Sequence, residues 1–91
     1  MTTRVYFLVH GRVQGVNFRR FTQSKAVEHN VTGWCRNTDN EKVAGEAQGD
    51  EESIRKFLKE IENGPRHARV VKLDQERRDP LEGESHFEVR R

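Results

Sequence analysis

The sequence predicts a small α+β domain in which two helices cover one face of an antiparallel sheet. Three features predict it: a β-rich run near the N-terminus, an alternating hairpin in the middle and one strongly amphipathic helix after it. The chain has 91 residues, a length that makes a single domain spanning 1–91 with one thin core.

Val5-Tyr6-Phe7-Leu8-Val9 is the kind of apolar, β-branched and aromatic run that forms a buried central strand, ending at His10-Gly11. Gly11 to Asn17 reads as a loop. From Phe18 to about His29 glycine is absent, and Phe18, Phe21 and Ala26 share a helical face. Asn30 fits a helix stop, because Asn tolerates the left-handed conformation. Val31 to Asn37 alternates, with Val31, Gly33 and Cys35 on one side. Thr38-Asp39-Asn40-Glu41 forms a turn, and Val43, Gly45 and Ala47 alternate in the returning strand.

Asp50 is a good N-cap for the next helix, in which Ile54, Phe57, Leu58 and Ile61 fall at i, i+3, i+4 and i+7. Asn63-Gly64-Pro65 stops it. Ala68 to Leu73 is a strand whose apolar residues change phase, so a bulge is expected. Gln75 to Glu84 is charged, holds Asp79-Pro80 and Gly83, and reads as an exposed loop. Phe87-Glu88-Val89 makes a short final strand. The order is βαββαβ, the ferredoxin-like pattern, with the last strand drawn from the two C-terminal runs.

Composition narrows the classes further. The mean hydropathy of −1.02 invites disorder, but the apolar residues are periodic, which a disordered chain lacks. Net charge is only +2, with acids and bases interspersed, so no polybasic tract points to nucleic acid or membrane. Most arginines are expected at the surface. One cysteine, Cys35, can make neither an internal disulfide nor a multi-cysteine zinc site. The N-terminal apolar stretch is too short to span a membrane and lacks a cleavage-type flank, so a cytoplasmic location is expected.

The segment Gly11-Arg12-Val13-Gln14-Gly15-Val16-Asn17-Phe18-Arg19 lies between a strand and a helix. Its glycines allow successive N–H groups to point inward as an anion-binding nest, and the helix N-terminus adds its own N–H groups and dipole. If Phe18 anchors in the core, Arg19 can turn to the loop and offer a planar fork to phosphate. By itself the pattern also fits a tight turn. Asn37, at the end of a strand, is likewise by itself an ordinary turn residue.

Together these pieces resemble the acylphosphatase family. The match comprises Gly11 to Arg19, Gly33-Trp34-Cys35-Arg36-Asn37, Val43, Gln48-Gly49, Gly64-Pro65, Ala68, Val70 and the Phe87-x-Val89 ending. The resemblance implies hydrolysis of carboxyl–phosphate anhydrides without metal or other cofactor. It implies that Gln14, Gly15, Val16, Asn17, Phe18 and Arg19 hold the phosphate, and that Asn37 positions the attacking water. The chain departs from the family at Asn30, where Gly is common, at Asn40-Glu41, where Asp-Gly is common, and at Cys35, which reads as a small buried residue. A left-handed Glu costs about 1–2 kcal/mol, so the turn beside Asn37 is the departure with most at stake.

Such chemistry suits a chain with no obvious acid–base pair. The leaving carboxylate has a conjugate-acid pKa of about 4 and needs no general acid. What remains is to neutralise the phosphoryl oxygens and align a water. His10, His29, His67 and His86 show no i, i+4 pair, so no metal site is expected, and His10, beside the loop, reads as structural. The expected ligands are an acyl phosphate substrate and inorganic phosphate as product and inhibitor, for a monomer. Two rival readings stand: an RNA-recognition module, whose basic-Gly-aromatic signature is absent, and a carbamoyl phosphate domain of a larger enzyme. Because no zinc-finger cysteines follow before Arg91, a free-standing enzyme is expected.

Overall fold

A computed structural model describes residues 2–13 and 17–90. Its elements are β1 (Thr2–Arg12), α1 (Phe18–Glu28), β2 (Thr32–Asn37), β3 (Val43–Asp50), α2 (Glu51–Asn63), β4 (Arg69–Arg78) and β5 (Phe87–Arg90). They form one five-stranded sheet, ordered β4-β1-β3-β2-β5. All neighbours are antiparallel except β2 and β5. Two helices pack on one face, the ferredoxin-like arrangement read from the sequence.

The period-2 rule sets the core. Val5, Phe7 and Val9 of β1, Cys35 of β2, and Val43 and Ala47 of β3 are buried together toward the helices. From α2, Ile54, Phe57, Leu58 and Ile61 close the layer as their spacing requires. The Phe57 ring meets Phe7 edge-on at 5.9 Å and Phe87 at 6.0 Å, tying the central strand, the helix and the last strand together. Both helices end as expected. Asn30 is left-handed at φ 57°, and Gly64, at φ 71°, donates its N–H to the Glu60 carbonyl at 3.0 Å. Asp50 does occupy the N-cap of α2 with extended backbone, but its side chain makes no capping bond.

The larger differences lie at the ends of strands. β1 continues through Gly11 and Arg12, because β4 pairs with it along nearly its whole length. Gln75 to Arg78 are therefore strand and not loop. Their charged side chains have weak intrinsic strand preference, but pairing with a buried neighbour overrides it. The bulge is present, with the β1–β4 register shifting between His10 and Gly11 so that Val71 has no partner in β1. The two C-terminal runs do not merge into one strand. They take opposite edges of the sheet, and β5 joins β2 in parallel, which makes the sheet mixed.

The segment 79–86 connecting them crosses the helix-free face, and a buried arginine fastens it there. Arg4 is 1% exposed, an exception to the surface placement expected of most arginines. Its Nε donates to Glu46 at 2.7 Å, while Nη1 donates to Gln48 at 3.1 Å and to Glu84 at 2.8 Å. Thr32 donates to Glu84 at 2.8 Å, and Gln48 bonds both backbone groups of Leu81. Burial opposes the charge on Arg4, but the hydrogen bonds and charges of Glu84 and Glu46 outweigh it and raise its pKa. Removing one member of a buried ion pair strands the other charges. Arg4→Ala should therefore lower unfolding free energy in urea by about 2–4 kcal/mol, and Glu84→Gln, at a more exposed partner, by less. A loss below about 1 kcal/mol for Arg4→Ala would mean the 79–86 segment is held by other contacts.

Candidate active site

Strands β1 and β2 both run antiparallel to β3, so their C-terminal ends share one edge of the sheet. The register makes this concrete: Val9, Val43 and Asn37 are aligned across β1, β3 and β2. Helix α1, which connects β1 to β2, begins at that edge. The end of α2 arrives there too, since a Cβ on Gly64 would lie 3.6 Å from the Phe18 ring. The close approach of β1 to β4 beside the bulge depends on Gly11 having no side chain. At φ 130° its Cβ would stand 2.0 Å from the Arg69 carbonyl oxygen, inside the contact distance of any real side chain.

Asn17 enters α1 in the left-handed conformation, φ 57° and ψ 32°, without a side-chain cap. No acid lies in the first turn. Among the described residues, the positive end of the helix thus faces the edge with neither an Asn17 side-chain cap nor a first-turn carboxylate on it. Phe18 is buried, as expected, and Arg19, the next residue on the helix, turns away from the core. Arg19 Nη1 donates to the Arg90 carbonyl at 2.9 Å. Gln14, Gly15 and Val16, expected to complete the phosphate cradle, lie outside the described residues.

Asn37 is half-buried at the end of β2. The turn that follows is closed on both sides. Thr38 N donates to the Lys42 carbonyl at 2.8 Å, Lys42 N donates to Thr38 Oγ1 at 3.0 Å, and that hydroxyl donates to Asn40 at 2.5 Å. Glu41 adopts φ 64° in place of the usual glycine, and these bonds offset its cost. Arg36, beside Asn37, is paired with Arg90, whose carbonyl holds Arg19. The fold therefore brings Arg19 and Asn37, 18 positions apart in the chain, to one corner.

Cys35 packs against the first turn of α1. Its Sγ contacts the Arg19 carbonyl at 3.7 Å, and burial pushes the thiol pKa up to about 12 although Arg19 pulls it down. It is a packing residue, as expected. His10 points to the helix-free face, where Nε2 lies 2.7 Å from Asp74 Oδ2. The His10 hydrogen bond holds the Asp74 carboxyl below its usual range, with burial opposing it and Lys72 adding a smaller pull in the same direction. Sequence spacing showed no ligand group among the histidines, yet Glu28, His29 and Glu60 bring ligand atoms within 4.8 Å of one another. Lys25 sits among them, 3.3 Å from Glu28 and 3.2 Å from Glu60, as the resident cation. This group lies at the far end of α1. The contribution missed by sequence reasoning is that of Arg90, which acts through a backbone carbonyl and so carries no side-chain signature.

Comparison with known proteins decides the family. The acylphosphatase family model matches residues 5–89. The chain belongs to the acylphosphatase family. An acylphosphatase of Geobacillus thermodenitrificans is 43% identical over 86 residues, covering 94% of this chain and 92% of that protein. The crystal structure of the Bacillus subtilis acylphosphatase superposes with a TM-score of 0.93 at 32% identity, covering all of both chains (100% each). That of Coxiella burnetii gives 0.90 at 35% identity, covering 98% of this chain and 93% of that one. Membership makes the chain an enzyme, a hydrolase of acyl phosphates.

The elevated thiol pKa yields a direct check. Cys35 should resist a disulfide reagent at pH 8 in the native protein and react fully after denaturation, and Cys35→Val should retain activity. Rapid native labelling accompanied by inactivation would make Cys35 a reactive site group.

Proposed function

We propose that the enzyme binds the phosphoryl group between the Gly11–Arg19 loop and the start of α1, with Asn37 orienting the nucleophilic water. The observation that carries this reading is the pairing at one corner of an uncapped, acid-free helix N-terminus and an anchored arginine. Arg19 supplies a planar fork of donors, while Gln14, Gly15, Val16, Asn17 and Phe18 contribute backbone N–H groups to the dianion.

The chemistry then needs little else. Water attacks phosphorus as the bond to the acyl oxygen breaks, and the carboxylate departs with the bonding electrons. Because this leaving group is stable as an anion, no acid must protonate it. Donors fixed before reaction stabilise charge on the equatorial oxygens without reorganisation. Asn37 offers both an amide oxygen and an NH2 group to a water, and the bonded turn after it keeps that amide in place. The Arg19–Arg90 contact restricts the guanidinium to one orientation, which favours bidentate recognition.

The same reading makes the enzyme a metal-independent, cytoplasmic monomer in which residues 1–91 form a single domain, with inorganic phosphate as product and competitive inhibitor. Release of phosphate from benzoyl phosphate tests the reaction. Activity should persist in excess EDTA; loss that returns on adding zinc or magnesium would overturn the metal-free mechanism. The two side chains should separate in kinetics. Arg19→Ala should weaken phosphate binding and lower turnover by on the order of 10²–10³. Asn37→Ala should keep phosphate affinity within about threefold while kcat falls severely, because only alignment of water is lost. Calorimetric phosphate titration and steady-state rates on both variants measure this. Normal turnover by Asn37→Ala would remove its assigned role.

A further inference from the structure

Several bases away from the candidate site are matched with acids: Arg4 with Glu46 and Glu84, Arg55 with Glu52, Arg77 with Glu51. At the site edge, Arg12, Arg66 and Arg69 are exposed. Among the described residues none of the three forms an ion pair. Arg12 and Arg69 are direct partners across β1 and β4. Like charges so placed, with Cβ atoms about 5 Å apart, destabilise a sheet. Asp74, on the same strand, does not offset them, because His10 and Lys72 engage it at 2.7 and 3.4 Å. Arg66 projects from the turn closed by Ala68 N and the Pro65 carbonyl at 3.1 Å, next to Gly64 and the head of α1.

The position of this group matters for an in-line reaction. The strand order places β4 three strands from β2, or about 14 Å at the usual spacing. A water held at Asn37 attacks from the β2 side, and the leaving group departs opposite it. The acyl carboxylate then exits toward the ends of β1 and β4 that carry Arg12 and Arg69. We propose that Arg69 and Arg66, with Arg12, form a second anion subsite that selects acyl phosphates whose acyl portion carries its own negative charge. This specificity rests on the placement of water by Asn37 given under Proposed function. A carboxylate and a phosphonate share the relevant chemistry, so either can occupy the subsite.

Butyryl phosphate and succinyl phosphate have acyl chains of equal length that end in a methyl group or a carboxylate, and 3-phosphonopropanoyl phosphate supplies the phosphonate. Steady-state rates for all three, at low ionic strength, compare the native enzyme with the double variant Arg66→Ala/Arg69→Ala. For the variant, kcat/KM on at least one anionic substrate should fall by about tenfold, while butyryl phosphate changes by less than about twofold. The unchanged butyryl rate also reports that the variant folds. The more affected anionic substrate identifies the preferred anion. Equal losses on all three substrates, or no loss on any, overturn the subsite while leaving acyl phosphate hydrolysis intact. Failure of the native enzyme to cleave any of them overturns hydrolysis as well. As a second readout, Arg69→Glu should lower the succinyl rate further than the alanine change does.

Discussion

The seating of Phe18 governs the geometry of the whole site edge. Its ring is 1% exposed, packed 5.8 Å from Phe21 and against the position where α2 ends at Gly64. Burying such a ring contributes about 2–3 kcal/mol, enough to hold the first turn of α1 in one orientation. With that turn fixed, the next residue must point about 100° around the helix. Arg19 is thereby carried out of the core and onto the Arg90 carbonyl. The left-handed entry at Asn17 and the contact of Cys35 with the Arg19 carbonyl depend on the same docking. Hydrophobic packing aims a polar fork, and β5 completes the aim by lending a backbone oxygen from the end of the chain.

What could be read from the sequence followed the signals that local physics leaves in it. Ile54, Phe57, Leu58 and Ile61 specify α2 by spacing alone, and Asn30 and Gly64 mark helix ends because few residues accept their backbone conformations. The roles proposed for Arg19 and Asn37 come only from a family pattern, since each residue alone has a commonplace reading. Other features left no local trace. Gln75 to Arg78 carry a loop-like composition, and their strand state comes from β1, some 70 residues earlier in the chain. Arg4 looks like any surface base until Glu46, Gln48 and Glu84 surround it. The Glu28–His29–Glu60 group joins two helices and has no sequence period at all.

The helix-free face carries an alternating row of rings and acids across the sheet. Tyr6 and Trp34 both lie on it, the positions from which related sheet architectures could stack bases. Cross-strand register sets Glu76, Glu46 and Glu88 beside them, so the row across the sheet alternates acid and ring. Arg78 covers the Tyr6 ring at 5.0 Å and Arg90 covers Trp34 at 4.8 Å. Those cation–π contacts satisfy the rings internally, and the acids repel a phosphodiester backbone.

The bulge at Val71 bears on how this chain lives among copies of itself. β4 is the long outer strand, ten residues, and a flat outer strand of that length is a template on which a second chain can build amyloid-like pairing. Val71, 72% exposed, would be the adhesive point. The extra residue twists the strand there and interrupts its even row of donors and acceptors. Lys72, Arg77 and Arg78 place charge along the remainder, so that a second copy docking in register would meet its own sign. At the opposite edge β5 is protected by brevity, with four residues. An irregularity in strand register thus also acts as a guard of colloidal stability, a role as much about the crowded solution as about the folded molecule.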